Sequence, residues 1–220
     1  MVSFVGAQKR VLRVTGILGI LVALVTVTAD ELSQYSPQGF ASTFYFQNIT
    51  SWRLLSGYLL GVLGIPLIAI GYWQVCQALK LSGIKRTRWM FWIITYGLAL
   101  GAAAHATIII IIVMVQQGID SSLRAIDILQ TYVIIPFGLF FLCYLITSTW
   151  YFVVVLSRHT LYPKWMAFLN PFLLSIVIAL LHVSNIVPII DNYLAPAYLS
   201  IPHLLFFTLS TLVLWNPKKV

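Results

Sequence analysis

Three histidines occur in strongly apolar stretches of this sequence, where a titratable side chain is costly. His105 lies in the segment GAAAHATIII, and no charged residue occurs between Arg88 and Asp120. His182 and His203 lie in two later apolar stretches. Titratable groups at membrane depth usually mark a substrate, ion or proton path. Three neutral imidazoles with a carboxylate could also bind zinc, so a metal site is a second kind of chemistry to consider.

The composition indicates an integral membrane protein. The chain has 220 residues, of which 60% are hydrophobic and 8% are charged, and its mean hydropathy is +0.96. Soluble domains carry roughly 25% charged residues. The net charge of +8 resides in short segments beside the apolar stretches, so it predicts topology and not nucleic-acid binding. The lipid bilayer is the first partner that the sequence predicts.

Apolar stretches of bilayer-spanning length predict an all-α six-helix bundle that forms one domain over residues 1–220. A membrane helix needs ~20 apolar residues. Lys9, Arg10 and Arg13 before an apolar run imitate a signal peptide, but we interpret this run as the first span. The predicted spans cover approximately residues 11–31, 54–79, 89–115, 131–157, 165–190 and 197–215.

The basic residues predict the orientation of the bundle. Eleven of the thirteen fall at or beyond one set of span ends, and only Arg53 and Arg124 fall at the other. The positive-inside rule then places both termini in the cytoplasm, most simply at the plasma membrane. Asn48 opens an Asn-Ile-Thr sequon in the longest outer loop, and the sequence leaves open whether it is glycosylated.

Depth along the spans places several polar residues in one layer. At ~1.5 Å per residue, His105 and His182 lie about 24 and 25 Å from the inner starts of their spans, and His203 about 9 Å from the outer start of its span. Asp30 and Arg53 lie at the outer ends of spans one and two. Helical spacing of three or four residues adds further polar neighbours. The predicted pocket residues are Thr26, Asp30, Arg53, Ser56, His105, His182, Asn185 and His203.

Four functions fit such a layer. The first is an outward-facing pocket that binds or transports a small polar or amphipathic ligand, such as a lipid, with Asp30 and Arg53 as an outer gate. The second is a metal-dependent intramembrane hydrolase of a lipid-like substrate, in which His105, His182, His203 and Asp30 hold zinc. The third is a haem protein with two axial histidines. The fourth is a structural or accessory subunit that packs with itself or another membrane protein through small residues.

Several segments resemble a known family. GILGILVALVTVTADEL, SWRLLSGYLLGVLGIPLIAIGYWQ, GAAAHA, LYPKWMAFLNPFLL and HLLFFTLSTLVL are similar to an uncharacterised family of six-span prokaryotic membrane proteins. This resemblance covers nearly the whole chain and implies an architecture but no activity. A fainter similarity is to the membrane hydrolase superfamily of alkaline ceramidases and adiponectin receptors, which implies zinc held by three histidines. The last span here departs from that pattern because His203 has no HxxxH partner.

Overall fold

A computed structural model describes residues 2–35, 49–80, 83–117, 123–158, 160–184 and 196–215, with side chains except at 2–7, 84, 123–130 and 182–184. Every regular element within these residues is a helix, as the sequence predicts. The α-helices are α1 Val2–Gln34, α2 Ser51–Leu67, α3 Ala69–Leu79, α4 Ile84–Gln116, α5 Leu123–Ser157, α6 Pro171–Ser184 and α7 Ser200–Trp215. A 3₁₀ helix, Lys164–Leu169, precedes α6.

Two of the predicted spans are divided. The second predicted span consists of α2 and α3, which meet at Ile68, two residues after Pro66. Ile68 keeps helical dihedrals and its N–H bonds the Gly64 carbonyl, so α2 and α3 form one stretch with a local irregularity after the proline. The fifth predicted span begins as the 3₁₀ helix. Asn170 then accepts a hydrogen bond from the Leu173 N–H at 3.1 Å, and Pro171 starts α6.

The helices are long and apolar enough for a multi-pass membrane protein. Four stretches reach spanning length: Gln8–Gln34, Ser51–Leu79, Lys85–Gln116 and Thr131–Ser157. Two shorter apolar helices, Pro171–Leu181 and Ser200–Trp215, bring the number of possible spans to between four and six. Large apolar side chains cover the outside of the bundle, which suits contact with lipid and not with water.

Small residues let the helices approach closely. α1 packs against α2, α3 and α7, and α4 packs against α2 and α5. A Cβ atom added to Gly19 would lie 2.7 Å from the Cα of Gly71, and one added to Gly57 would lie 2.9 Å from the Ala29 carbonyl oxygen. Such contacts need glycine, which is the usual way in which membrane helices pack.

Most of the positive charge lies at one end of the bundle, which we call the basic end. There the Arg13 guanidinium donates to the Trp215 carbonyl, and the Leu161 N–H donates to the Ala78 carbonyl. These bonds bring the start of α1 and the ends of α3, α5 and α7 together. The described basic residues at this end are Lys9, Arg10, Arg13, Lys80, Lys85, Arg86, Arg88, Arg158 and Lys164.

Candidate functional site

His105 occupies a space that a glycine leaves open. It follows Ala102–Ala104 on α4, and its imidazole lies where a Cβ on Gly61 of α2 would be. Its Nε2 atom lies 3.2 Å from the carbonyl oxygen of Gly57. Because a carbonyl oxygen only accepts, Nε2 carries a hydrogen in this arrangement. Consequently Nδ1, on the other side of the ring, is the nitrogen that can bond a second group.

That other side faces Asp30. The Nδ1 atom of His105 lies 3.6 Å from Oδ1 of Asp30, and Oδ2 of Asp30 accepts a hydrogen bond from the Ser200 hydroxyl at 2.5 Å. Two lone pairs facing each other would repel, so one proton belongs between the ring and the carboxyl group. Whether it resides on His105 or on Asp30, the pair is neutral overall, which suits a buried site. We call Asp30, His105 and Ser200 the Asp30 cluster.

The Asp30 cluster forms one wall of a cavity of about 240 Å³. Gln34 and Tyr198 add polar groups to this wall. Most of the remaining lining is apolar and comes from α2, the α2–α3 junction, α4, α5 and the residues before α7: Ile65, Ile68, Leu98, Gly101, Ala104, Ile108, Ile112, Phe137, Phe140, Pro196 and Leu199. A mostly apolar pocket with a few converging polar groups is the usual form of a small-molecule site.

His203 also lines this cavity, but protein groups engage both of its ring nitrogens. Nδ1 donates to the Leu199 carbonyl at 2.7 Å, and Nε2 accepts from the Tyr72 hydroxyl at 3.1 Å. Its ring stacks on Tyr144 with a centroid distance of 5.3 Å, and only 2% of the residue is exposed. His203 is therefore held as a neutral ring at the floor of the cavity.

Arg53 does not pair with Asp30. Its guanidinium donates to the carbonyl oxygens of Glu31 at 3.0 Å and Tyr35 at 2.9 Å, at the C-terminal end of α1. The Glu31 carbonyl also accepts from the Tyr35 N–H, so the guanidinium adds a second bond there and stabilises the negative end of the helix dipole. Arg53 is not among the residues that line the cavity, so the geometry differs from the predicted gate.

The other predicted pocket residues lie outside the cavity lining or outside the description. The Thr26 hydroxyl donates to the Ala23 carbonyl of its own helix, and Ser56 is half-buried on α2. The His182 side chain and the whole of Asn185 fall outside the described residues, as does Asn48 of the sequon. Of the predicted pocket residues with described side chains, Asp30, His105 and His203 line the cavity. Ser200 also lines it and was not predicted.

Protein groups engage the ring nitrogens of His105 and His203, and the His182 side chain lies outside the described residues, so the zinc and haem sites stay predictions. His203 uses one nitrogen as a donor and the other as an acceptor. The Nδ1 atom of His105 faces Asp30, with which it shares one proton. Among the described side chains, no group of three or more histidine, cysteine, aspartate or glutamate residues could hold a metal. Binding a metal through His203 would break its bond to Tyr72.

A second buried polar group was not expected from the sequence. The Gln74 amide nitrogen on α3 donates to the Leu12 carbonyl at 2.9 Å and to the Thr211 hydroxyl at 3.3 Å. Its oxygen accepts from Ser210 at 2.9 Å, and Ser210 also bonds the Tyr162 hydroxyl at 2.7 Å. We call Gln74, Tyr162, Ser210 and Thr211 the Gln74 cluster. Single glutamine, serine and threonine residues in apolar helices gave no signal for it.

The fold and the apolar surface define a helical, multi-pass membrane protein. The chain belongs to DUF6796, a family of unknown function whose model matches residues 8–217. No curated protein matches the chain. No solved structure matches it either. Membership of an uncharacterised family, expected from the sequence, is thus confirmed, while the six spans and the similarity to the hydrolase superfamily stay predictions.

Proposed function

We propose that this protein binds a small amphipathic molecule in the cavity beside the Asp30 cluster. The observation that carries the proposal is the contrast between the walls of that cavity. Asp30, His105 and Ser200 form a polar wall, and the facing walls are aliphatic and aromatic. A buried, neutral pair that shares one proton can exchange hydrogen bonds with a ligand more readily than a saturated network can.

The walls suggest the chemistry of the ligand. Its apolar part would contact Ile108, Phe137 and Phe140, and its polar head would reach Asp30. The carboxylate accepts hydrogen bonds, so a hydroxyl or a protonated amine is the matching head group. An engineered cavity of about 150 Å³ is large enough for benzene, so this cavity has room for a molecule of at least that size.

Binding from one side fits the geometry better than transport across the bundle. His203 forms the floor of the cavity. Behind it, the buried Tyr72 and Tyr144 contact His203 through a hydrogen bond and ring stacking. Below this floor, the Gln74 cluster joins α1, α3 and α7. A transport path would have to break both groups of contacts.

The proposed topology has six spans and both termini in the cytoplasm, at the plasma membrane. The charge of the basic end supports this orientation. Residues Arg10 and Thr50 lie at opposite ends of the bundle and are exposed. In intact cells, a membrane-impermeant maleimide should label Thr50→Cys but label Arg10→Cys only after permeabilisation. The reverse pattern would invert the topology.

The binding proposal is tested by filling the cavity. Ala104 lines the cavity, whereas its neighbour Ala103 is exposed on the outside of α4. Proteins with Ala104→Leu and Ala103→Leu would be purified in mild detergent beside the wild type, and retained small molecules identified by mass spectrometry. We expect a common small molecule in the wild type and Ala103→Leu that is lost in Ala104→Leu. Equal retention in all three proteins, or no retained molecule in any, would contradict the proposal.

A further inference from the structure

A second cavity lies between α3 and α4, at the basic end of the bundle. Its volume is about 390 Å³. Trp73, Gln77 and Lys80 line it from α3, with the i, i+4, i+7 spacing that places residues on one helix face. Arg88 and Trp92, four residues apart, line it from α4. Two helix faces therefore present cations, an amide and aromatic rings to the same space.

The charge of this cavity is uniformly positive. Lys80 and Arg88 are exposed, and the Lys80 ammonium lies 5.9 Å from the centre of the Trp73 ring. None of the described residues that line the cavity is acidic, and the five acidic residues of the chain occur elsewhere in the sequence. Two uncompensated cations beside a concave surface attract an anion.

Gln77 indicates a polar ligand inside the cavity. It is 7% exposed and lines the cavity. Within the described part of the chain, no protein group makes a hydrogen bond to its side-chain amide. A buried amide without a partner costs free energy, so a ligand that accepts its hydrogen bond would recover that cost.

The walls below these polar groups are aromatic and open towards lipid. Phe91 packs edge-on against Trp73 at 5.2 Å and against Trp92 at 5.7 Å. Both tryptophans keep large exposed surfaces on the outside of the bundle, 41% and 63%. Tryptophan at this position is typical of the headgroup level of a bilayer. An occupant with a polar anionic end and an apolar body matches this arrangement.

We propose that this cavity, which we call the α3–α4 site, binds the headgroup of an anionic glycerophospholipid from the leaflet at the basic end. Lys80, Arg88 and the Gln77 amide hold the phosphate, and the aromatic walls contact the glycerol and the first part of the acyl chains. Basic pockets between membrane helices are a known way to hold such headgroups. This inference is independent of the ligand proposed for the Asp30 cluster.

The test compares two double variants with the same change in charge. Lys80→Gln with Arg88→Gln removes the two cations of the α3–α4 site. Lys85→Gln with Arg86→Gln removes two exposed cations of the same helix end that do not line the cavity. Delipidated protein in neutral detergent would be titrated with phosphatidylglycerol or phosphatidylcholine, and bound lipids counted by native mass spectrometry.

We expect the wild type to bind phosphatidylglycerol more tightly than phosphatidylcholine. The Lys80/Arg88 variant should lose about tenfold in phosphatidylglycerol affinity, and the Lys85/Arg86 variant much less. Gln77→Leu keeps the charge and should weaken binding severalfold. Equal losses in both double variants would show general surface attraction and overturn the site. Unchanged binding in the Lys80/Arg88 variant would do the same.

A soluble anion is the competing occupant. Inorganic phosphate at millimolar concentration should displace little phosphatidylglycerol, because it lacks the apolar body that the aromatic walls contact. Trp92→Ala should weaken lipid binding for the same reason. Efficient displacement by phosphate, together with unchanged binding in Trp92→Ala, would assign the cavity to a soluble anion and reject the lipid.

Discussion

The bundle contains two buried polar clusters that differ in what surrounds them. In the Gln74 cluster, the amide makes three hydrogen bonds to protein groups, and Gln74 itself is 0% exposed. The Asp30 cluster has a loose contact of 3.6 Å between ring and carboxyl, and it borders a cavity. A polar group saturated by the protein fixes helix positions, whereas one beside open volume is available to a ligand.

The same difference distinguishes the histidines. His203 has both nitrogens engaged and forms the floor of the cavity. His105 has one nitrogen tied to a backbone carbonyl and the other facing Asp30. Of the two, His105 is the one whose protonation can change together with a bound ligand. Position in the same layer therefore does not imply the same role.

The largest expected effect comes from replacing Gly61, the glycine against which His105 packs. A methyl group at Gly61 overlaps the His105 ring, so Gly61→Ala should destabilise the protein by about 1–3 kcal/mol. It should also displace His105 and reduce retention of the bound molecule. The measurement is the Tm of the detergent-solubilised protein, followed by mass spectrometry of its extract.

Gly138→Ala is the matched control. A Cβ at Gly138 meets nothing within 4 Å. Alanine replaces glycine in a helix with a gain of roughly 0.5–1 kcal/mol, so this variant should be at least as stable as the wild type. A Tm lowered equally in both variants would mean that Gly61 has no special relation to His105.

The next effect concerns the Gln74 cluster. Gln74→Leu removes three hydrogen bonds that link α3 to α1 and α7. Interhelical bonds in membranes contribute roughly 0.6 kcal/mol each, so the expected loss is about 1–2 kcal/mol. Thr208→Val is the control, because that hydroxyl donates to the Leu204 carbonyl of its own helix. A Tm unchanged in Gln74→Leu would remove the structural role of this cluster.

The smallest effect concerns Arg53. Arg53→Gln removes the cation at the C-terminal end of α1 and should cost about 0.3–1 kcal/mol. Arg53→Lys should recover part of that loss. Retention of the bound molecule should be the same as in the wild type, because Arg53 does not line the cavity. If Arg53→Gln loses the bound molecule while its Tm is unchanged, the predicted gate formed by Asp30 and Arg53 would be supported instead.

The sequence predicts the position of a residue along its helix better than the direction of its side chain. The rise of a helix converts residue number into depth, which is why Asp30, His105 and His203 were expected in one layer, and all three line one cavity. Rotation about the helix axis depends on packing between helices. Arg53 lies at the expected level, yet its side chain reaches the carbonyls at the end of α1.

Other features had no usable pattern in the sequence. Ser200 donates to Asp30 across a separation of 170 residues, and serine is too common in apolar helices to be singled out. Gln74 finds a backbone carbonyl and two hydroxyls, which are partners that any helix offers. A glycine in an apolar helix indicates close packing, but the sequence does not show that His105 is the group packed against Gly61.

One measurement tests the difference between the two clusters most directly. Asp30→Asn and Gln74→Leu would be purified in parallel, and bound mass and Tm recorded on the same samples. An asparagine at position 30 can still accept from Ser200 and donate to His105, but it carries no charge.

We predict that Asp30→Asn keeps the wild-type Tm within about 2 °C, because the bonds to Ser200 and His105 remain. The variant should lose the bound molecule, because the charge-assisted hydrogen bond between the carboxylate and the ligand contributes about 1.5–3 kcal/mol. Gln74→Leu should show the opposite: a lower Tm with the molecule retained. If Asp30→Asn retains the molecule, or if Gln74→Leu loses it while still folded, the assignment of binding to the Asp30 cluster is wrong.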